Sequence, residues 1–244
     1  SSPKVTIEKQ SNGVNVLVDG ELFTSYVWPS NLKKPVLYPV IAASGTEITR
    51  GYPLAPRAGE RVDHPHHAGI WFNYGDINGY DFWNNSESIP NDKKDGYGTI
   101  LHDKVGKIKQ GKGNASFQAA ANWIDANGRK LLTEQTEFIF EATAHVRIID
   151  RITTLTAGED TVLMNDNKEG LIAIRVARQL ELPSKEEVTL TDSKGNVTPV
   201  NALNNEGVNG NYLSSEGIKD DAVWGTRGRW MELSGKINND KLSV

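Results

Sequence analysis

The 244-residue sequence contains no cysteine. That excludes a disulfide scaffold, a thiolate metal site and a cysteine nucleophile, and it suits an exported bacterial protein. No apolar run approaches the roughly 18 residues of a membrane-spanning helix, so no transmembrane segment is expected. There is no basic arm either. Lys plus Arg number 27 against 31 Asp plus Glu, a net charge of −4, and lysines cluster only in pairs. Nucleic-acid binding rests largely on phosphate neutralisation and is therefore excluded as a function. Internal repeats, low-complexity tracts and linkers are also lacking. The chain starts at Ser1 without Met, as removal of a leader or trimming would leave it.

What is present is β-pattern. Hydrophobic residues make up 37% of the chain, enough for a continuous core, and they recur in short alternating runs. "KVTIEKQ", "VNVLV" and "ELFTSYVW" are separated by Asn12-Gly13 and Asp19-Gly20, the strongest short-range hairpin signals. "VLYPVIA" (36–42) is a further strand, with Pro39 marking an edge or a bulge. Residues 98–156 read as four long antiparallel strands with one wet face, punctuated at Gly111–Asn114 and Ala126–Gly128. "GLIAIRVARQLEL" (170–182) fits both a strand and a helical stripe, and its β-branched content favours strand. The expected fold class is all-β, a large antiparallel β-sandwich forming a single domain over residues 1–244. The final "KINNDKLSV" has the look of a strand being entered, so a C-terminal segment of the fold is expected beyond Val244.

Chemistry concentrates in "DHPHHAGIWFNYGDINGYDFW" (63–83), which holds three of the five histidines and six of the 19 aromatic residues. On an extended strand His64 and His66 share a face, a spacing that can hold a divalent metal, although no cofactor is firmly implied. No Glu stands three or four residues beyond His66, so a cupin metal site does not match. The other use is general acid–base catalysis, for which His66 and His67 are the candidates. Asp63 is placed to orient an imidazole. Trp71, Tyr74, Tyr80 and Trp83 are expected to form a stacking wall for a sugar, with Asp76, Asn78 and Asp81 bonding its hydroxyls. "DINGYD" lacks the spacing and distal Glu of a calcium loop, which leaves Asn78-Gly79 as a turn. "NNSESIPNDKKDG" (84–96) is a surface loop at the lip of this region. Further along, Glu169 is the expected carboxylate partner of the histidines. Arg175 and Arg50 are candidate ligand-binding residues, Arg50 being either a carboxylate clamp or a solvated residue.

The blocks "SGTEITRGYP", "GERVDHPHHAGIWFNYGDINGYDFW", "NDNKEGLIAIRVAR" and "NGNYLSSEG…WGTRGRW" resemble, in order, those of the PmoA-like family, over about residues 36–232. The resemblance implies an exported, periplasmic or extracellular protein of polysaccharide-degrading bacteria with a galactose-mutarotase-like supersandwich. It also implies a longer chain, with a further His- and Trp-bearing segment. Methane oxidation, which that family label suggests, is rejected because it needs a membrane-embedded protein. The expected function is acid–base chemistry on a sugar, epimerase-, lyase- or hydrolase-like, with a small-molecule or oligosaccharide ligand. A non-catalytic carbohydrate-binding protein and a His-ligated metal enzyme are the alternatives. The sequence carries no sign of oligomeric state.

Overall fold

A computed structural model describes residues 2–184, 186–191, 196–200 and 204–244, and its regular structure is antiparallel strands with a few short 3-10 turns. The first three, β1 (Lys4–Gln10), β2 (Gly13–Val18) and β3 (Glu21–Val27), form the expected meander. Its second turn is as predicted. Asp19 and Gly20 hold φ of 51° and 90°, as a type I′ hairpin requires, and Val18 pairs with Glu21. The first turn differs by one residue. Gln10 pairs with Gly13, so the loop is Ser11-Asn12 and Gly13 opens β2. A Cβ on Gly13 would stand 3.0 Å from the Tyr26 carbonyl oxygen, so glycine serves close strand approach there rather than the turn.

β4 (Val36–Val40) is internal, between β3 and β5 (Ile70–Tyr74). Pro39 accordingly marks an irregularity rather than an edge, the register with β3 shifting between Thr24 and Tyr26. The long strands are β6 (Thr99–Lys112), β7 (Asn114–Ile124), β8 (Lys130–Ala142) and β9 (Arg147–Ala157). Residues 170–182 divide into β10 (Gly170–Ile174) and a short 3-10 turn, Arg178–Leu180.

These ten strands make one sheet in the order β10-β5-β4-β3-β2-β1-β6-β7-β8-β9. Five strand spacings separate β3 from β8, about 24 Å in a flat sheet. Yet the rings of Phe23 and Phe140 meet at 5.9 Å and those of Tyr26 and Phe138 at 5.4 Å. The sheet therefore curls until its halves face each other as a sandwich, with Val5, Val14, Val16, Phe117 and Phe140 between them. Burial drives the curl: the alternating apolar face of each strand has only the opposite half to pack against.

Two small sheets complete the fold. β11 (Val188–Thr191) pairs with β12 (Val197–Val200). β13 (Asn211–Ser214), β14 (Met231–Ile237) and β15 (Asp240–Ser243) form the other, which sends Leu233 and Ile237 into the main core beside Leu180. Among the described residues no helix is long and apolar enough to cross a membrane.

Candidate functional site

The site is built where one long connection folds back on another. Between β4 and β5 the chain runs through residues 41–69, and after β10 it continues through Arg175 to Glu181. The two segments pair by backbone: Arg50 N–H donates to Arg175 O, Arg175 N–H to Gly69 O and Ala177 N–H to Ile48 O. Gly69 makes the approach feasible, with φ of 57° and a would-be Cβ only 2.1 Å from the Leu37 carbonyl oxygen. Arg50, Asp63, the histidines, Arg175 and Glu181 thereby meet, although 131 positions separate the outermost two.

The histidine segment is a turn, not a strand. His67 N–H donates to His64 O at 2.9 Å, with Pro65 just after His64, where a fixed φ suits a β-turn. His64 holds φ of 45°, a conformation uncommon for non-glycine residues and sustained only where surroundings enforce it. Arg50 does the enforcing. Its side chain has no solvent exposure, and it donates to the carbonyls of Arg61 (3.3 Å), His64 (2.9 Å) and His67 (3.0 Å) and to Asp63 Oδ1 (2.8 Å).

The turn gathers all three imidazoles. His64 stacks on His67 at 4.8 Å, His66 meets His67 edge-on at 4.4 Å, and His67 stacks on Trp71 at 4.9 Å. Their environments differ. His64 is exposed, and its Nδ1 lies 2.7 Å from Asp63 Oδ2. A carboxylate there fixes the tautomer with the proton on Nδ1 and leaves Nε2 as a free base. His67 Nδ1 faces the Arg175 guanidinium at 3.4 Å, which can only donate, so the proton of His67 sits on Nε2. His66 is buried, and its Nε2 has no hydrogen-bond partner.

Burial, reinforced by Lys34 and the surrounding cations, pushes the His66 imidazole down to about 3. Burial together with His66 and Arg175 pushes His67 down to about 2. Both rings are neutral donors at physiological pH. Burial opposes ionisation of Asp63, but Arg175, the His64 hydrogen bond and Arg50 prevail and hold its carboxyl down at about 2. Beneath the turn lies Lys34, which the sequence reading overlooked. It is 2% exposed, its Nζ donates to His66 O at 2.6 Å, and burial lowers it to about 7 against the pull of Asp81. Glu181 was overlooked as well: Arg175 (3.4 Å), Arg178 (2.5 Å) and Arg61 (3.0 Å) all converge on its carboxylate.

Comparison with known families matches residues 13–244, nearly the whole chain, to the family of unknown function DUF6807. The chain belongs to the DUF6807 family. Neither a curated protein nor a solved structure matches it.

Several site expectations need correction for this DUF6807 chain. Glu169 does not face the histidines. It precedes Gly170, which pairs with Tyr74, whereas Arg175 follows Ile174, which pairs with Ile70, so about 13 Å of strand separates the two ends. Glu169 is instead an ion-pair neighbour of Lys168; the carboxylate beside the imidazoles is Asp63, on His64, while Glu181 meets the arginines, among them Arg175. The four-ring stacking wall does not form either. Trp71 and Trp83 are 2% and 7% exposed, packed with Leu32, Val36 and Ala68. Tyr74 lies on the other face of β5, since alternate strand residues point oppositely, and with Tyr80 it packs against the cluster of Phe82 and Trp123.

The short polar side chains at 76–81 are occupied locally. Asp76 Oδ1 accepts from Gly79 N–H and Asn165 Nδ2, while Asp81 accepts from the backbone of Trp83 and Asn84. Asn78 and Gly79 have φ of 53° and 84° and form the expected tight turn. Arg50 is a clamp, fully buried, and so cannot touch a ligand directly. His64 and His66 do not share a strand face, their rings meeting at 74° and 5.5 Å. Among the described residues no three His, Asp or Glu side chains gather in a metal-holding group. A cavity of about 850 Å³ exists elsewhere, lined by Phe23, Ile41, His145, Arg147 and the C-terminal residues 240–244, and the 63–67 turn does not border it.

Proposed function

We propose that this protein performs acid–base chemistry on a sugar at the 63–67 turn. His64 Nε2 is the proton-transferring atom, Asp63 its orienting partner and neutral His67 a hydrogen-bond donor to the substrate. The observation that carries this reading is the Asp63–His64 contact at 2.7 Å on an exposed, positive-φ residue. A carboxylate-fixed imidazole with its second nitrogen free is the arrangement that general acid–base catalysis needs. The sugar rests on the PmoA-like resemblance and its mutarotase-like fold, with which the curled ten-stranded sheet is compatible. Export rests on that resemblance and the absence of cysteine. A purely structural cluster would leave His64 buried with both nitrogens bonded, which is not its environment.

The test is turnover of a panel of monosaccharides and glycosides in D2O, followed by NMR. Deuterium at a ring carbon reports epimerisation, a new vinylic signal reports elimination, and new reducing ends report hydrolysis. His64→Asn and Asp63→Asn are expected to lower turnover by about 10²–10⁴-fold and about 10-fold or more respectively, with Glu169→Gln unchanged. Turnover undiminished in His64→Asn refutes the assignment. Binding without turnover that survives His64→Asn favours a carbohydrate-binding protein instead.

A further inference from the structure

The site holds more positive charge than it neutralises. Four guanidiniums converge there, those of Arg50, Arg61, Arg175 and Arg178, against two carboxylates, Asp63 and Glu181. All four carboxylate oxygens are already engaged. Asp63 Oδ1 takes Arg50 and Arg175, and its Oδ2 takes His64. Glu181 Oε1 takes Arg175, and its Oε2 takes Arg61 and Arg178. The carboxylates of Glu47 and Glu60, on the same connection, share Arg57, so with that group counted five guanidiniums still outnumber four carboxylates. The four arginine side chains are only 0–18% exposed, so solvent screens the surplus weakly. Buried cations in excess of their counterions are unfavourable unless an anion joins them. Donors without hydrogen-bond partners remain too: Nε of Arg50, Arg61 and Arg175, and Nε1 of Trp71, the Arg61 contact with Glu181 at 3.0 Å being an ion pair by distance without hydrogen-bond geometry. Arg175 is the most exposed of the four guanidiniums and touches the neutral His67 ring, so it is the one a ligand can reach.

We infer that the ligand of the 63–67 turn is a sugar bearing an anionic group, a carboxylate or a sulfate ester, held by the Arg175 guanidinium beside the His67 imidazole. The planar fork of Arg suits either oxyanion, and a neutral imidazole donates to it without titrating. That the ligand is a sugar rests on the function proposed above; that it is anionic does not.

The experiment is an NMR titration of the histidine imidazoles of the full chain at low ionic strength with D-glucuronate, D-glucose 6-sulfate, D-glucose and inorganic sulfate. Either charged sugar is expected to shift the His64 and His67 resonances with at least ten-fold tighter binding than D-glucose, and the arm that binds identifies the group. Arg175→Gln is expected to abolish that preference and Arg175→Lys to retain part of it, with the amide spectrum confirming that both fold. Equal binding of D-glucose and the charged sugars overturns the inference, as does response to inorganic sulfate alone or to none of the four. These outcomes need only the wild-type protein. If the charged sugars bind but His64→Asn leaves turnover intact, the acid–base reading fails and the anionic ligand stands.

Discussion

Replacing Arg50 by Ala removes the hook that shapes the histidine turn, and the consequence can be sized from its contacts. Four hydrogen bonds disappear, three to backbone carbonyls and one to Asp63, all from a side chain with no exposure. Charge-assisted bonds contribute about 1.5–3 kcal/mol each when taken singly, but they share one guanidinium and do not add. Asp63 keeps Arg175 and His64, so the loss falls mainly on the buried carbonyls left without their donor, about 3–5 kcal/mol together at about 1–3 kcal/mol each. At about 2–4 °C per kcal/mol for a chain of this size, the thermal midpoint should fall by roughly 6–20 °C. Arg50→Lys keeps the charge, but a single ammonium cannot span three carbonyls and a carboxylate, so about half the loss is expected. Urea unfolding followed by fluorescence of Trp71 and Trp83, which adjoin the turn, measures both. Arg129, 54% exposed in its ion pairs, is the control and should lose under about 1 kcal/mol on truncation. An Arg50→Ala loss no larger than that control refutes the hook.

Two further predictions concern pH. His66 and His67 are held neutral in the fold, at about 3 and about 2, whereas the unfolded chain protonates them near 6.5. Between these values the unfolded state binds more protons, so stability should fall as pH falls from about 6.5 towards 3. After solvent screening the slope should be nearer one proton than two, about 1.4 kcal/mol per pH unit, with further loss from about pH 4 down to about 2, where Asp63 is protonated in the unfolded chain but still ionised in the fold. Urea midpoints that stay flat from pH 6.5 to 4 contradict this. Lys34, at about 7 folded against 10.5 in water, should destabilise the protein below pH 7 and cease to do so as pH rises through 10. Lys34→Met is therefore expected to gain about 1–4 kcal/mol at pH 6–7 and to converge on wild type near pH 10. A Lys34→Met protein that is less stable at pH 7 shows instead that the Nζ–His66 carbonyl bond dominates.

The strand content was legible because period-2 alternation and Asp-Gly turn chemistry act locally. Asp19-Gly20 adopts the turn its φ values demand, while Gly13 misleads by a residue because its smallness serves the neighbouring strand. The curl of the sheet was not legible in any window, since Phe23 and Phe140 meet only after five intervening strand pairings. The site divides along the same line. Residue types mark 63–67; of the two arginines expected to bind a ligand, Arg50 is buried and holds the turn from within, and Arg175 reaches the Asp63 carboxylate. Which groups face each other is decided by the pairing of residues 48–50 with 175–177, so Glu169, expected as the carboxylate partner of the histidines, lands at the wrong end of β10.

Lys34 and Glu181 were missed for a physical reason that also bears on function. Nothing in "NLKKP" distinguishes the partly exposed Lys33, paired with Glu87, from the buried Lys34 one residue later. A lysine sealed beneath the histidine turn, bonded to the His66 carbonyl and over the Trp71 ring, contradicts every local preference for keeping charge in water. Local rules and tertiary structure part company most sharply where a protein keeps an arrangement that its own stability disfavours. Here the positive-φ His64, the buried Lys34 and the guanidinium surplus over Asp63 and Glu181 coincide within one turn, whereas the ten-stranded scaffold around them obeys the alternation rule. That coincidence is hard to derive from folding requirements alone, and it follows directly if the turn is shaped to receive a negatively charged ligand.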